Sequence, residues 1–186
     1  MAGLIILAVI FFVPIIFVIA TYNSLVALRN HIADSWSNID TELKRRYELV
    51  PNLVATVKGY AAHEKEIFEK VTELRGKCME NNGKASVQAG SEQMLVAALQ
   101  KMMAVVENYP QLKADANFLE LQKELVNTED RIQAARRFYN GNVRDYRNKC
   151  QTFPSSIIAG MFGFEVEDFF NVEPAVREVP SVGEAF

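Results

Sequence analysis

At 186 residues the chain has room, beyond a membrane anchor and a tail, for one domain of about 130 residues with a single core. Its 20 basic and 23 acidic residues give a net charge of −3, which argues against a nucleic-acid binder, whose surface carries a basic excess. Two cysteines, Cys78 and Cys150, are too few for a disulfide framework.

Residues 3–20, GLIILAVIFFVPIIFVIA, contain no charge. As a helix they span about 27 Å, just short of a ~30 Å hydrocarbon core. Continuation through Tyr22 closes the gap and puts a tyrosine at the interface. Pro14 is tolerated in a membrane helix where neighbours satisfy the freed carbonyl. A cleaved signal peptide is the rival reading, with Val18-Ile19-Ala20 as its cleavage site. The absence of Lys or Arg before the run, and the length of the run, weigh against it. Arg29, His31 and Lys44-Arg45-Arg46 follow the span, which favours a cytoplasmic main domain.

From Tyr22 to Tyr60 apolar residues recur at Leu25, Leu28, Ile32, Trp36, Ile39, Leu43, Tyr47, Val50, Leu53 and Val57. Steps of three and four mark a helix with one apolar face. Pro51 opens two readings. In one, the chain reverses at 47–51 and Pro51 starts a new helix, where its missing N–H costs nothing. In the other, one very long kinked helix pairs with an equally long partner. The reversal gives helices over 22–46, 52–76, 91–109 and 115–150, lengths that suit an up-and-down four-helix bundle, and is the preferred reading.

In that reading the second helix stops at Gly76, residues 76–90 form a flexible loop, and Ser91 caps the third helix. Tyr109-Pro110 ends the third helix. The fourth has a near-heptad apolar repeat from Phe118 to Tyr146 and Asp115 as its N-cap. Asn140-Gly141-Asn142 marks a soft spot within it. The tail, 153–186, contains Phe153, Phe162, Phe164, Phe169, Phe170 and Phe186, with a short helix over 154–162. So many aromatic residues without a regular period dock either on the bundle or on something else.

Catalytic motifs are missing: there is no G-x-S-x-G elbow, no phosphate-binding glycine loop and no HExxH. His63-Glu64-x-Glu66 is the nearest set of metal-ligand types, but its members point in different directions on a helix and read as a solvated face. No cofactor is expected. Cys78 and Cys150 fall near one end of the bundle and read as unrelated thiols. In the cluster Trp36-Ser37-Asn38-Ile39-Asp40, Trp36 belongs to the apolar face, while Asn38 and Asp40 face solvent or bridge to the fourth helix. Lys44-Arg45-Arg46 reads as favourable charge at a helix C-terminus rather than a lipid site. Arg46 also falls in the apolar register and pairs there with a carboxylate of the fourth helix such as Glu129.

Several long motifs carry a family resemblance. Tyr22-Asn23-x-Leu25-Val26-x-Leu28-Arg29-Asn30, Trp36-Ser37-Asn38-Ile39-Asp40 through Tyr47, and Pro51-Asn52-Leu53-Val54 through Tyr60 come first. Phe118-Leu119-x-Leu121-Gln122 through Arg131-Ile132, Ala135-Arg136-x-x-Tyr139-Asn140, Phe153-Pro154 and Phe162-Gly163-Phe164 follow. Together they resemble the LemA family of bacterial membrane proteins. The resemblance implies a small single-pass helical membrane protein without an established enzymatic activity. It also implies relatives associated with membrane organelles in magnetotactic bacteria.

The expected architecture is all-α: a transmembrane anchor over 1–21, a helical bundle over 22–152 and an irregular aromatic tail over 153–186. The expected role is a membrane-anchored interaction or scaffold protein of the bacterial inner membrane. It contacts the bilayer through residues 3–20 and binds itself or a protein partner, not nucleic acid. The tail residues Phe162, Phe164, Phe169, Phe170 and Phe186 are the expected interaction surface, and Trp36, Asn38, Asp40 and Arg46 a structural or recognition cluster. Deleting 153–186 is expected to alter assembly while leaving helicity intact. The alternatives are a metalloprotein or enzyme centred on polar residues in the bundle, or an adaptor for a membrane stress protease.

Overall fold

A computed structural model describes residues 2–81 and 83–171, and every regular element among them is a helix. Helix α1 runs unbroken from Ala2 to Tyr60, 59 residues and roughly 88 Å. From Ile6 to Phe17 every residue is exposed. The N-terminal part of α1 carries an apolar window of 18 residues, long and apolar enough to cross a membrane. From Thr21 onward the same helix buries one stripe: Leu25, Ile32, Ile39, Leu43, Val50, Leu53 and Val57.

The reversal expected at residues 47–51 does not occur; the chain passes Pro51 and turns only at residues 61–64. Two features let the helix continue. Pro51 is exposed, so its ring meets no neighbouring helix. Its missing N–H would orphan the carbonyl of Tyr47, four residues back, and Arg75 Nε donates to that oxygen at 2.6 Å.

Helix α2, Lys65–Glu80, descends beside α1 and brings Arg75 level with Tyr47. Helix α3, Ala85–Val106, climbs back, with Gln88 and Glu92 at the same level. A short α4, Pro110–Lys113, has its proline at the start of the helix. Helix α5, Ala116–Gln151, then descends the whole domain. Its antiparallel register on α1 is fixed by Tyr60 with Asp115, Arg46 with Glu129 and the His31 carbonyl with Asn142. The up-and-down bundle is therefore present, with the first reversal at residues 61–64 instead of 47–51.

The other expected boundaries shift accordingly. Gly76 lies inside α2, residues 85–90 belong to α3, and Ser91 is within a helix rather than at its start. Helix α3 ends at Val106, before Tyr109-Pro110. Lys44, Arg45 and Arg46 are mid-helix, not at a C-terminus. Asp115 caps α5 as expected, accepting a hydrogen bond from Phe118 N at 2.9 Å. Helix α5 passes through Asn140-Gly141-Asn142 without a break.

The helices differ greatly in length, and this shapes the molecule. With 16 and 22 residues, α2 and α3 flank only the upper part of α1, whereas α5 has 36 residues. The lower part of the α1–α5 pair is covered by the tail. Helix α6, Ser155–Met161, packs on α1 and α5. It ends at Gly163, whose φ of 68° is the left-handed region glycine tolerates. Phe164 N bonds back to the Ala159 carbonyl and Gly163 N to that of Gly160, a Schellman ending. The turn sends residues 164–171 back up the bundle as an extended strap.

Candidate interaction surfaces and the buried ionic network

Arg46 is 1% exposed in the middle of α1, between apolar turns. A guanidinium there is tolerable only when paired. Its Nη1 donates to Glu129 Oε2 on α5 at 2.6 Å, and its Nη2 donates to Glu92 Oε2 on α3. The other oxygen of Glu92 accepts from the Tyr47 hydroxyl and from Gln88 Nε2, the latter at 2.7 Å. Gln88 Nε2 also lies 3.3 Å from the Cys78 carbonyl, and Gln133 Nε2 donates to Glu129 at 2.9 Å. One network thus ties α1, α2, α3 and α5 together at one level.

The surroundings raise the nearby acids. Burial, then the Glu92 carboxylate, pushes the Tyr47 phenol far above its ordinary value. The same two causes push the Cys78 thiol up to about 12. Burial also raises the Cys150 thiol, and both cysteines are free and buried.

Above the network α3 and α5 do not close on each other. They leave a groove of about 510 Å³ lined by Val96, Leu99 and Met103 of α3 and by Phe118, Leu125 and Val126 of α5. Arg46 and Glu129 form its lower end. Val126 and the adjacent Leu119 expose about half their surface. The groove's lining is largely apolar, with Glu107 and Lys113 also on its wall.

Below the network the strap is clasped. Phe170 N donates to Asn140 Oδ1 at 2.8 Å and Asn140 Nδ2 donates to the Phe170 carbonyl at 3.3 Å. The Tyr139 hydroxyl donates to the Asp168 carbonyl at 2.9 Å. The Phe170 ring enters the core beside Trp36, with Arg136 over its other side.

A model of the LemA family matches residues 35–183. The chain belongs to the LemA family. Among relatives, Magnetosome protein MamQ of Magnetospirillum gryphiswaldense is 25% identical over 179 residues, 83% of this chain and 66% of that protein. Magnetosome protein MamQ 2 of Paramagnetospirillum magneticum is 27% identical over the same shares. Protein LemA of Metamycoplasma hominis is 26% identical over 137 residues, 74% of this chain and 63% of that protein. The chain spans just under two thirds of the length of these curated relatives.

The LemA-type motifs of this chain fall on the features described above. Trp36 is half-buried, packed between Tyr139 and Phe170. Asn38 is exposed, and Asp40 pairs with Lys44 of its own helix at 2.6 Å rather than bridging to α5. Arg46 joins Glu129 as its register implied. Phe170, expected on a surface, is 1% exposed and belongs to the core. Phe164 and Phe169 are half-buried, under Arg29 and Arg147 respectively. Phe162 is exposed, and Phe186 lies outside the described residues. Cys78 and Cys150 are at different levels, one beside Tyr47 and the other below Tyr146. Among the described residues no three His, Cys, Asp or Glu side chains come together as a metal site.

Sequence reasoning missed Glu92, Gln88 and the groove. The signal for the first two was available: Gln88 and Glu92 lie one turn apart among Ala85, Ala89, Leu95 and Leu99, an apolar face interrupted by two polar residues. It is visible only when α3 is started at Ala85.

Proposed function

We propose that this LemA-family protein is a membrane-anchored, non-catalytic interaction protein whose α3–α5 groove receives an amphipathic helix of a protein partner. The groove carries the reading. A helical bundle that leaves an apolar furrow open between two of its helices presents the surface on which another helix completes the packing. Leu125 and Val126 would meet the apolar face of that helix, and Glu129, whose side chain is one third exposed, would meet its end. Arg46 is held by two carboxylates from two other helices, a cross-brace that suits a rigid scaffold. The MamQ relatives are named for the magnetosome and the mycoplasmal relative is not, and the family model covers residues 35–183, beyond the apolar run. A self-assembling scaffold and an adaptor for another membrane protein differ only in whose helix fills the groove.

The anchor is assigned to the bacterial inner membrane, with the bundle on the cytoplasmic side. Arg29, within about 20 residues of the end of an uncharged span, supports this orientation.

The test is the mass of the particle extracted from native membranes in mild detergent, by light scattering with the detergent subtracted, for wild type and for Val126→Glu. Position 126 is exposed, so a charge there leaves the fold intact, as circular dichroism would confirm. The expected result is a wild-type particle heavier than one 21.0 kDa chain, reduced to the monomer by the substitution. A monomeric wild type, or an assembly indifferent to Val126→Glu, refutes the groove.

A further inference from the structure

From Cys150 to Phe164 no residue is charged. This stretch includes α6 and the two turns that flank it, and it presents large apolar side chains to the outside. Phe153 is 78% exposed, Met161 72%, and Ile157 and Phe162 are each more than half exposed. Phe153, Ile157 and Met161 are spaced by four, so along α6 Ile157 and Met161 share one face. The opposite face, Ser155, Ile158 and Ala159, is buried against the bundle. A short helix buried on one side and equally apolar on the other does not belong in water.

Its position names the occupant. The Phe162 ring lies 4.9 Å from Tyr22, and the Phe164 ring 5.6 Å from it. Tyr22 follows directly on the uncharged run 3–20. The patch therefore lies beside α1 where the helix leaves the span, continuous with the exposed apolar surface that begins at Ile6. Aromatic residues at that level match the belt found at membrane–water interfaces. Arg29 over Phe164 and Arg147 over Phe169 place cations just above, at the height of anionic headgroups.

We propose that α6 and its flanking turns form a membrane-seated foot: Phe153, Ile157, Met161 and Phe162 enter the headgroup–acyl boundary of the leaflet from which α1 emerges. The protein then touches the bilayer twice, once by the span and once by the foot. Two contacts fix the tilt and rotation of the bundle, which a lone helix would leave free. The inference rests on α1 being the membrane span.

The test uses the full chain in phosphatidylcholine–phosphatidylglycerol vesicles. Met161→Cys, Ile157→Cys, Ile10→Cys and Met94→Cys are each labelled with bimane. The buried native thiols stay unlabelled, with wild type as the blank. Lipids brominated near the headgroup end of the acyl chain are expected to quench the labels at 157 and 161 roughly twofold or more, and to leave the α3 label at 94 unchanged. Labels at 157 and 161 that respond only to aqueous iodide, like the label at 94, overturn the foot. A blue-shifted label that brominated lipid does not quench also overturns it, because a protein then covers the patch. The label at 10 separates the two assumptions: if lipid brominated deep in the chain fails to quench it, the span itself is refuted.

Discussion

Arg46 is the residue on which the interior turns. Burying one guanidinium is costly, and pairing with Glu92 and Glu129 offsets that cost without necessarily stabilising the fold beyond what apolar residues would do. The prediction follows from the asymmetry. Arg46→Met leaves Glu92, itself 4% exposed, as an uncompensated buried carboxylate and should cost about 3–5 kcal/mol in the thermal or urea midpoint. Adding Glu92→Gln removes the stranded charge while keeping an acceptor for Tyr47, and should recover most of the loss. If Arg46→Met is neutral in stability and only assembly suffers, the network is a recognition site rather than a structural one. That Arg46 pairs with a carboxylate of the fourth helix was legible, because Arg46 falls in the apolar register of a long helix; which carboxylate was not fixed by it. Glu92 was not. Glycines at 76, 83 and 90 made that stretch read as loop; Gly83 does lie in the connection, but the packing of α2 on α3 overrides the weak helix propensity of Gly76 and Gly90.

At the scale of elements, the continuity of α1 through Pro51 is the main departure from the sequence reading. Local rules do not decide it. An interior proline costs ~3 kcal/mol or more, and a helix start at Pro51 avoids that cost. What local rules omit is a donor 28 residues away: Arg75 supplies the hydrogen bond that Pro51 cannot. The two residues should therefore be energetically coupled. Arg75→Met is expected to destabilise the protein by about 1.5–3 kcal/mol, the usual range for a hydrogen bond from a charged group. In a Pro51→Ala background the same substitution should cost much less, because the N–H of residue 51 returns to the Tyr47 carbonyl. Equal costs in both backgrounds, measured as a double-mutant cycle by chemical denaturation, would break the link. The elements that were legible, α5 above all, combine a long uninterrupted repeat with a local cap at Asp115, and need no distant partner to define them.

For the whole molecule, the unequal helix lengths divide the bundle into an upper tier of four helices and a lower tier of two helices and a strap. This decides between the two roles left open for the described part of the tail. Read as sequence, residues 153–186 are aromatic without a period and dock either on the bundle or on something else. In the structure Ile158, Ala159 and Phe170 are buried, and α6 with the strap packs on the lower part of α1 and α5, where Asp168 meets Lys84 and Ser86 at the start of α3. Periodicity could not show this, because an extended strap has no helical repeat and its partners lie on two other elements. Removing residues 153–186 should therefore expose Leu25, Ile32, Trp36, Tyr139 and Tyr146 and loosen the lower tier. Losing Phe170 alone forfeits ~3–5 kcal/mol of core packing. The upper tier keeps its four-helix contacts and the Arg46 network. Hydrogen exchange resolves the two: protection should fall across residues 22–40 and 136–151, while α2 and α3 retain theirs. Unchanged protection in the lower tier would restore the tail as an independent binding arm. Collapse of both tiers together would mean that the network cannot hold four helices without the strap, and that the domain folds as one unit from the membrane interface upward.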